Sequence, residues 1–189
     1  MRRLIYWMNT SLDGFIESSA GGIDFTHPDE ELHRFFNDQA REVDISLYGR
    51  RLYEVMSPYW PTVESNPSAP EVELEFARIW MDTPRIVFSR TLERVEWNSR
   101  LVRNDLPGEI AKLKAQPGGN IEIGGATLAA TAMRHGLVDE IRIVVHPVVL
   151  GGGKPFFPDL ESAMPLRLLE TRTFGSGAVY LRYERATGD

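Results

Sequence analysis

The run Ile121-Glu122-Ile123-Gly124-Gly125-Ala126-Thr127 carries the residue types and order of an anion-holding turn. A short strand passes through two glycines into a helix. Glycines let a ligand approach the backbone, and a helix start presents unpaired N–H groups and the positive end of its dipole. The full Gly-x-Gly-x-x-Gly pattern is absent, so the same residues also fit a tight strand-to-helix turn with nothing bound. Two further strand ends carry phosphate-competent groups: Gly49-Arg50-Arg51 after Ile45–Tyr48, and Ser89-Arg90-Thr91 after Ile86–Phe88. Each arginine alone reads more often as a solvated surface charge. Three such ends in an acidic chain suggest a pocket for a polyanion, because open α/β sheets bind ligands beyond the carboxyl ends of their strands.

Other chemistries are excluded or thin. The chain contains no cysteine, which removes disulfides, thiol nucleophiles, iron–sulfur clusters and Cys-based zinc sites. His27, His33, His135 and His146 have no metal-ligand spacing, so no metal is expected, and His135 reads as a helix C-terminal residue. Gly-x-Ser-x-Gly does not occur. Gly151-Gly152-Gly153-Lys154 is followed by Pro155 where a phosphate loop needs Ser or Thr. For general acid work the candidates are Asp13, in the turn after the first strand, and Asp29 and Glu30, with Glu31, at the start of the first helix. Those helix-start acids also suit the dipole. The Tyr59-Trp60 pair and aromatics near the first strand are suited to wall a planar ring or to pack in the core.

With 189 residues, 42% hydrophobic and 25% charged, the chain fits one domain spanning 1–189 with one sizeable core. Its net charge of -6 argues against a nucleic-acid or anionic-membrane surface. No apolar stretch approaches the roughly 20 residues of a membrane span, and Met1–Met8 enters a strand-like run without a signal-peptide pattern, so the expectation is a cytoplasmic protein.

Strand and helix patterns alternate through the first two thirds. Strands are expected at Leu4–Met8, Asp44–Tyr48, Arg85–Phe88, Ile121–Ile123 and Ile141–Val149, with one of unassigned register within 95–102. Helices are expected from His27 to Ala40, and at Arg50–Met56, Glu71–Trp80, Pro107–Ala115 and Ala126–His135, the last closed by Gly136. Ser11–Asp24 reads as a glycine-containing loop and Pro61–Pro70 as a surface loop. Arg167–Thr173 and Ala178–Glu184 flank a four-residue turn and close the chain as an antiparallel hairpin. The fold class is α/β, with a mixed, mainly parallel sheet flanked by helices.

Four segments in order resemble the reductase domain of bacterial bifunctional riboflavin-biosynthesis deaminase-reductases, the RibD C-terminal domain family of the dihydrofolate-reductase-like superfamily. They are Ser11-Leu12-Asp13-Gly14-Phe15-Ile16, Leu47-Tyr48-Gly49-Arg50-Arg51-Leu52-Tyr53, Val87-Phe88-Ser89-Arg90, and Ile123-Gly124-Gly125-Ala126-Thr127 through Gly136–Glu140 to His146–Gly151. The resemblance covers essentially the whole chain. It implies a dihydrofolate-reductase-like fold and hydride transfer from NADPH to a small heterocyclic or carbonyl-bearing substrate, as in 5-amino-6-(5-phosphoribosylamino)uracil reductase, in a homodimer. Carried over by position, Gly124, Gly125, Ala126 and Thr127 would contact the cofactor pyrophosphate. Gly49 and Arg50 would lie beneath the adenosine half, and Ser89 and Arg90 would face the 2′-phosphate. Thr10, Leu12 and Gly14 would belong to the loop covering the nicotinamide. Lys154 is the one cation near the substrate end. The alternatives are a dimeric nucleotide-binding module without turnover, and dihydrofolate reductase itself. Without cysteine the chain is not expected to perform the zinc deaminase step.

Overall fold

The computed structural model describes residues 2–186. Its main sheet has eight strands: β1 (Leu4–Ser11), β3 (Val43–Gly49), β4 (Arg85–Phe88), β5 (Ser99–Val102), β6 (Asn120–Gly124), β7 (Glu140–His146), β9 (Leu166–Thr173) and β10 (Val179–Arg185). They lie in the order β5-β4-β3-β6-β1-β7-β10-β9. The first six in that order are mutually parallel, and β10 alone runs against its neighbours. All six parallel strands therefore end on one edge, which is where the sequence places its glycine turns and arginines.

Both faces of the central strands are covered, so Leu4, Ile5 and Tyr6 are all buried and β1 begins as a continuous apolar run. On one face Leu4, Tyr6, Leu47, Ile86, Ile121, Ile123 and Ile141 pack with residues of α4 (Leu106–Lys114) and α5 (Ala126–Arg134). Ile121 and Ile123 are wholly buried, and truncating either to Ala costs roughly 2–5 kcal/mol. On the other face α1 (Glu30–Ala40) lays Leu32 and Phe35 against Val144, Phe174 and Tyr180. α3 (Glu71–Asp82) lies beside α1. α2 (Arg50–Met56) follows β3 without a connecting loop. The helix ends follow their sequence: Asp29 caps α1 by accepting from the Leu32 amide at 2.9 Å. Gly136, at φ +64°, ends α5, with Gly136 N–H donating to Met133 and Leu137 N–H to Ala132.

The expected mainly parallel sheet and closing antiparallel strands are present, and four local features differ. A strand, β2 (Phe15–Ser18), lies within the segment read as loop and pairs antiparallel with β8 (Gly153–Pro155). Its strand pairing comes from Gly153–Pro155, far along the chain, so no local pattern marks it. A 3-10 turn, Trp60–Ser65, opens the proline-containing loop. β5 takes its register from β4 rather than from a hairpin. β7 stops at His146, because Pro147 has no N–H to continue the ladder.

Candidate active site

Two helix starts stand side by side on the carboxyl edge. β3 runs through Gly49 into α2, and β6 through Gly124-Gly125 into α5, with Tyr48 paired to Gly124. Neither helix has a side-chain cap, so the amides of Arg50, Arg51, Ala126 and Thr127 face the edge without a capping acceptor. The glycines are needed here. Gly125 sits at φ +90°, which side chains rarely adopt, and a Cβ on Gly124 would lie 2.4 Å from Leu52 Cδ2. The Gly125 N–H approaches Met8 Sδ at 3.4 Å, joining this turn to β1. Thr127 is exposed on the first turn of α5, and Ala126 is buried against the sheet. Arg50 is exposed, 3.9 Å from Glu54.

The end of β4 adds charge. Ser89 is nearly buried, and its hydroxyl oxygen accepts from the amides of Thr91 (3.2 Å) and Leu92 (3.0 Å), so it shapes the turn that displays the exposed Arg90. Arg103, at the end of β5, donates to the carbonyls of Ser89 and Leu92 and brings a second guanidinium to the same turn. Sequence reading missed Arg103 because β5 had no register. Once β5 lies parallel to β4, the strand-end rule finds it.

The loop after β1 is bolted to the loop after β7. Leu12 N–H donates to the Val148 carbonyl at 2.7 Å, while the Leu12 side chain is 66% exposed. Gly14, at φ +85°, turns the chain into β2. The Asp13 carboxylate accepts from the amides of Leu150 (3.1 Å) and Gly151 (2.7 Å). The Ser11 hydroxyl foremost, then those amides, holds its carboxyl below the usual range. Asp13 is thus an ionised anchor at neutral pH, a poor proton donor. Thr10 is buried on the β1 face that packs toward α5.

Of the helix-start acids, Asp29 is committed to its cap and Glu30 pairs with Arg34 at 2.6 Å. Glu31 joins Arg172 and the Gly175 amide, tying α1 to the β9–β10 turn. Lys154 lies on β8, exposed. An aromatic cluster links β1, α1, the 3-10 turn and α3. Trp7 of β1 meets Phe36 of α1 at 5.7 Å, Phe36 and Trp60 each lie 6.4 Å from His33, and Trp60 packs on Phe76 at 4.4 Å. At the end of β7 His146 Nε2 lies 3.1 Å from Asn9 Oδ1. Burial first, then nearby His27, pushes the imidazole below its usual value, so it is neutral at pH 7. Among the described residues no three His, Asp or Glu side chains gather as metal ligands, and no helix is long and apolar enough to cross a membrane.

The strand order and the paired helix starts define a dihydrofolate-reductase-like α/β protein. Dihydrofolate reductase from Enterococcus faecalis, solved with NADP(H), has this fold at a TM-score of 0.65 and 15% identity, covering 98% of this chain and 97% of that one. The RibD C-terminal domain model matches residues 2–180, and the chain belongs to that family. The Bacillus subtilis protein YyaP, itself uncharacterised, is 37% identical over 183 residues, 96% of this chain and 94% of the relative. A Shewanella sp. PV-4 protein provisionally assigned to riboflavin biosynthesis superposes with a TM-score of 0.77 at 24% identity, covering 98% of this chain and 99% of that one.

Proposed function

We propose that the protein is an NADPH-dependent reductase that delivers hydride to a small heterocyclic molecule. The carrying observation is the pair of uncapped helix starts behind Gly49 and Gly124-Gly125, flanked by Arg90 and Arg103. A dinucleotide pyrophosphate suits this cradle: two adjacent helix starts present uncapped backbone donors, and guanidinium groups suit a dianionic 2′-phosphate. Ala126, Thr127, Gly49 and Arg50 would hold the diphosphate and adenosine half, and Ser89, Arg90 and Arg103 the 2′-phosphate end. Thr10, Leu12 and Gly14 would border the nicotinamide. When bound, NADPH supplies the hydride; this chain's own residues position the two rings and exclude water. Family membership and the E. faecalis enzyme's NADP(H) complex support the cofactor assignment.

The reaction resembles the pyrimidine reduction of the riboflavin-pathway enzymes in its family. We further propose that residues 1–189 work as one domain, in the cytoplasm, as a homodimer associating through the exposed edge strand β9 and its partner β10. Titration with NADPH and NADH, followed by tryptophan fluorescence, tests the reading. Saturable binding that favours NADPH, with that preference reduced at least tenfold by Arg90→Ala combined with Arg103→Ala, is the expected outcome. Equal affinity for both nucleotides, or no binding, would overturn it.

A further inference from the structure

The chain that follows β1 is attached on both sides of the Gly124-Gly125 turn. On one side β2 pairs with β8, setting Glu17 against Lys154, and Asp13 accepts from the Leu150 and Gly151 amides of the loop after β7. On the other side Glu17 Oε1 lies 2.7 Å from Nη2 of Arg51, the second residue of α2, at the end of β3. The sheet order β3-β6-β1-β7 puts the ends of β6 and β1 between these attachments. The start of α5, which leaves β6 through Gly124-Gly125, therefore lies between the two anchored ends of one strap, residues 13–22.

The Glu17–Arg51 contact is built into its surroundings. An ideal Cβ at Gly153 would collide with the Glu17 carbonyl oxygen, so β8 closes tightly on the Glu17 backbone. The Glu17 side chain is 18% exposed, against 68% for Arg51, so the strap offers a sheltered carboxylate to a guanidinium reaching out from α2. The turn that follows is closed by Ser18 N–H to the Gly22 carbonyl and Gly21 N–H to the Ser18 carbonyl, each at 2.9 Å. It rests on the same guanidinium: a Cβ on Gly21 would stand 3.1 Å from Arg51 Nη2. Among the described residues neither Glu17 nor Arg51 has a second ion-pair partner.

The two attachments differ in strength. The β8 side is held by a strand ladder and by two amides on one carboxylate, whereas the α2 side depends on one ion pair whose arginine is largely in solvent. A dinucleotide carries a bulky ring system at each end, so it cannot be drawn lengthwise beneath a closed strap. One attachment has to open, and the α2 side is the weaker. We propose, resting on the reductase reading, that Glu17 and Arg51 form a latch that closes this strap over the diphosphate of bound NADPH and sets the rate at which the nucleotide enters and leaves. The latch acts on the α2 side of the cradle, past the residues Thr10, Leu12 and Gly14 that the family resemblance assigns to the nicotinamide.

Stopped-flow fluorescence with NADPH tests it on wild type, Glu17→Gln, Arg51→Gln and the double variant. Glu17→Gln should speed dissociation by about two- to fivefold, the range that loss of one exposed ion pair allows. Association should speed up as well, so affinity changes less than the dissociation rate, because the latch closes in free and bound protein alike. In the Arg51→Gln background Glu17→Gln should alter neither rate further, which separates a latch from two independent effects. Added salt should speed dissociation more in wild type than in Glu17→Gln, since screening opens the pair. Without nucleotide, amide hydrogen exchange at Gly21 should rise by about two- to fivefold in both single variants. Unchanged dissociation in Glu17→Gln, additive effects in the double variant, or an affinity loss as large as the gain in dissociation rate would overturn the latch. If NADPH fails to bind, the reductase reading falls and Gly21 exchange alone decides the strap: faster exchange in both variants upholds it, and unchanged exchange overturns it.

Discussion

Substituting Gly124 by Ala probes the cradle where its geometry is tightest. The new methyl would stand 2.4 Å from Leu52 Cδ2, whereas carbon atoms rest at roughly 3.5–4.0 Å, so one side must recede by about 1–1.5 Å. Leu52 is packed against Tyr48, Tyr53 and Val87, which leaves its methyl little room to turn. The strain therefore falls on the spacing between the starts of α2 and α5. Overpacking of this kind costs roughly 1–3 kcal/mol of stability. If the displaced start loses one hydrogen bond to a charged phosphate, roughly 1.5–3 kcal/mol of binding goes with it. At 1.4 kcal/mol per decade that is a loss of about 10–150-fold in NADPH affinity. Fluorescence titration gives the affinity and a thermal melt the stability. Adding Leu52→Ala removes the clashing methyl and should recover most of the affinity while lowering stability further. NADPH affinity unchanged in Gly124→Ala, or a double variant that binds no better than the single one, would refute the reasoning.

Glu140 is wholly buried and accepts from Arg142 Nε (2.7 Å), Arg182 Nε (2.8 Å) and Arg3 (3.0 Å), so Glu140→Gln should destabilise by roughly 3–5 kcal/mol in urea melts. Burial alone would raise its pKa, but Arg182 and Arg142 more than offset this and hold it below the usual value. Its stabilisation is thus present above about pH 4.3, the unfolded value, and lost as pH falls through the folded one. His146 works with the opposite charge: its folded pKa is depressed, so the unfolded chain takes up the proton first as pH falls below about 6.5. Wild type should therefore lose stability relative to His146→Phe between pH 7.5 and 5.5, by at most about 1.4 kcal/mol per pH unit; parallel pH profiles would count against it. Asp13→Ala should leave the melting temperature nearly unchanged yet speed hydrogen exchange at the Leu150 and Gly151 amides, which it now caps.

The sheet was legible because its strands alternate with helices and each boundary carries its own chemistry. Gly124-Gly125 and Gly136 mark turns that geometry requires, and Arg85–Phe88 and Arg50–Met56 form the elements their patterns indicate. β2 was invisible, since its pairing depends on β8 far along the chain, and the end of β7 was obscured because Val148 and Val149 extend its β-branched run beyond Pro147. At the site, the glycines and strand-end residues that spacing singled out converge on one edge. The Asn9–His146 pair did not stand out, because a lone Asn and a lone His carry no signal until β1 and β7 become neighbours, with Ser11 set against His146. Asp13, Asp29 and Glu30 were visible as acids, but their anchoring, capping and ion-pair roles emerge only with their partners.

The central claim is that NADPH lies across the two uncapped helix starts, and amide chemical-shift mapping of the isotopically labelled protein during NADPH titration tests it most directly. The account predicts the largest saturable shifts at Arg50, Arg51, Ala126 and Thr127, with smaller ones at Arg90 and Arg103. Shifts confined to other parts of the surface, or none at millimolar NADPH, would contradict it.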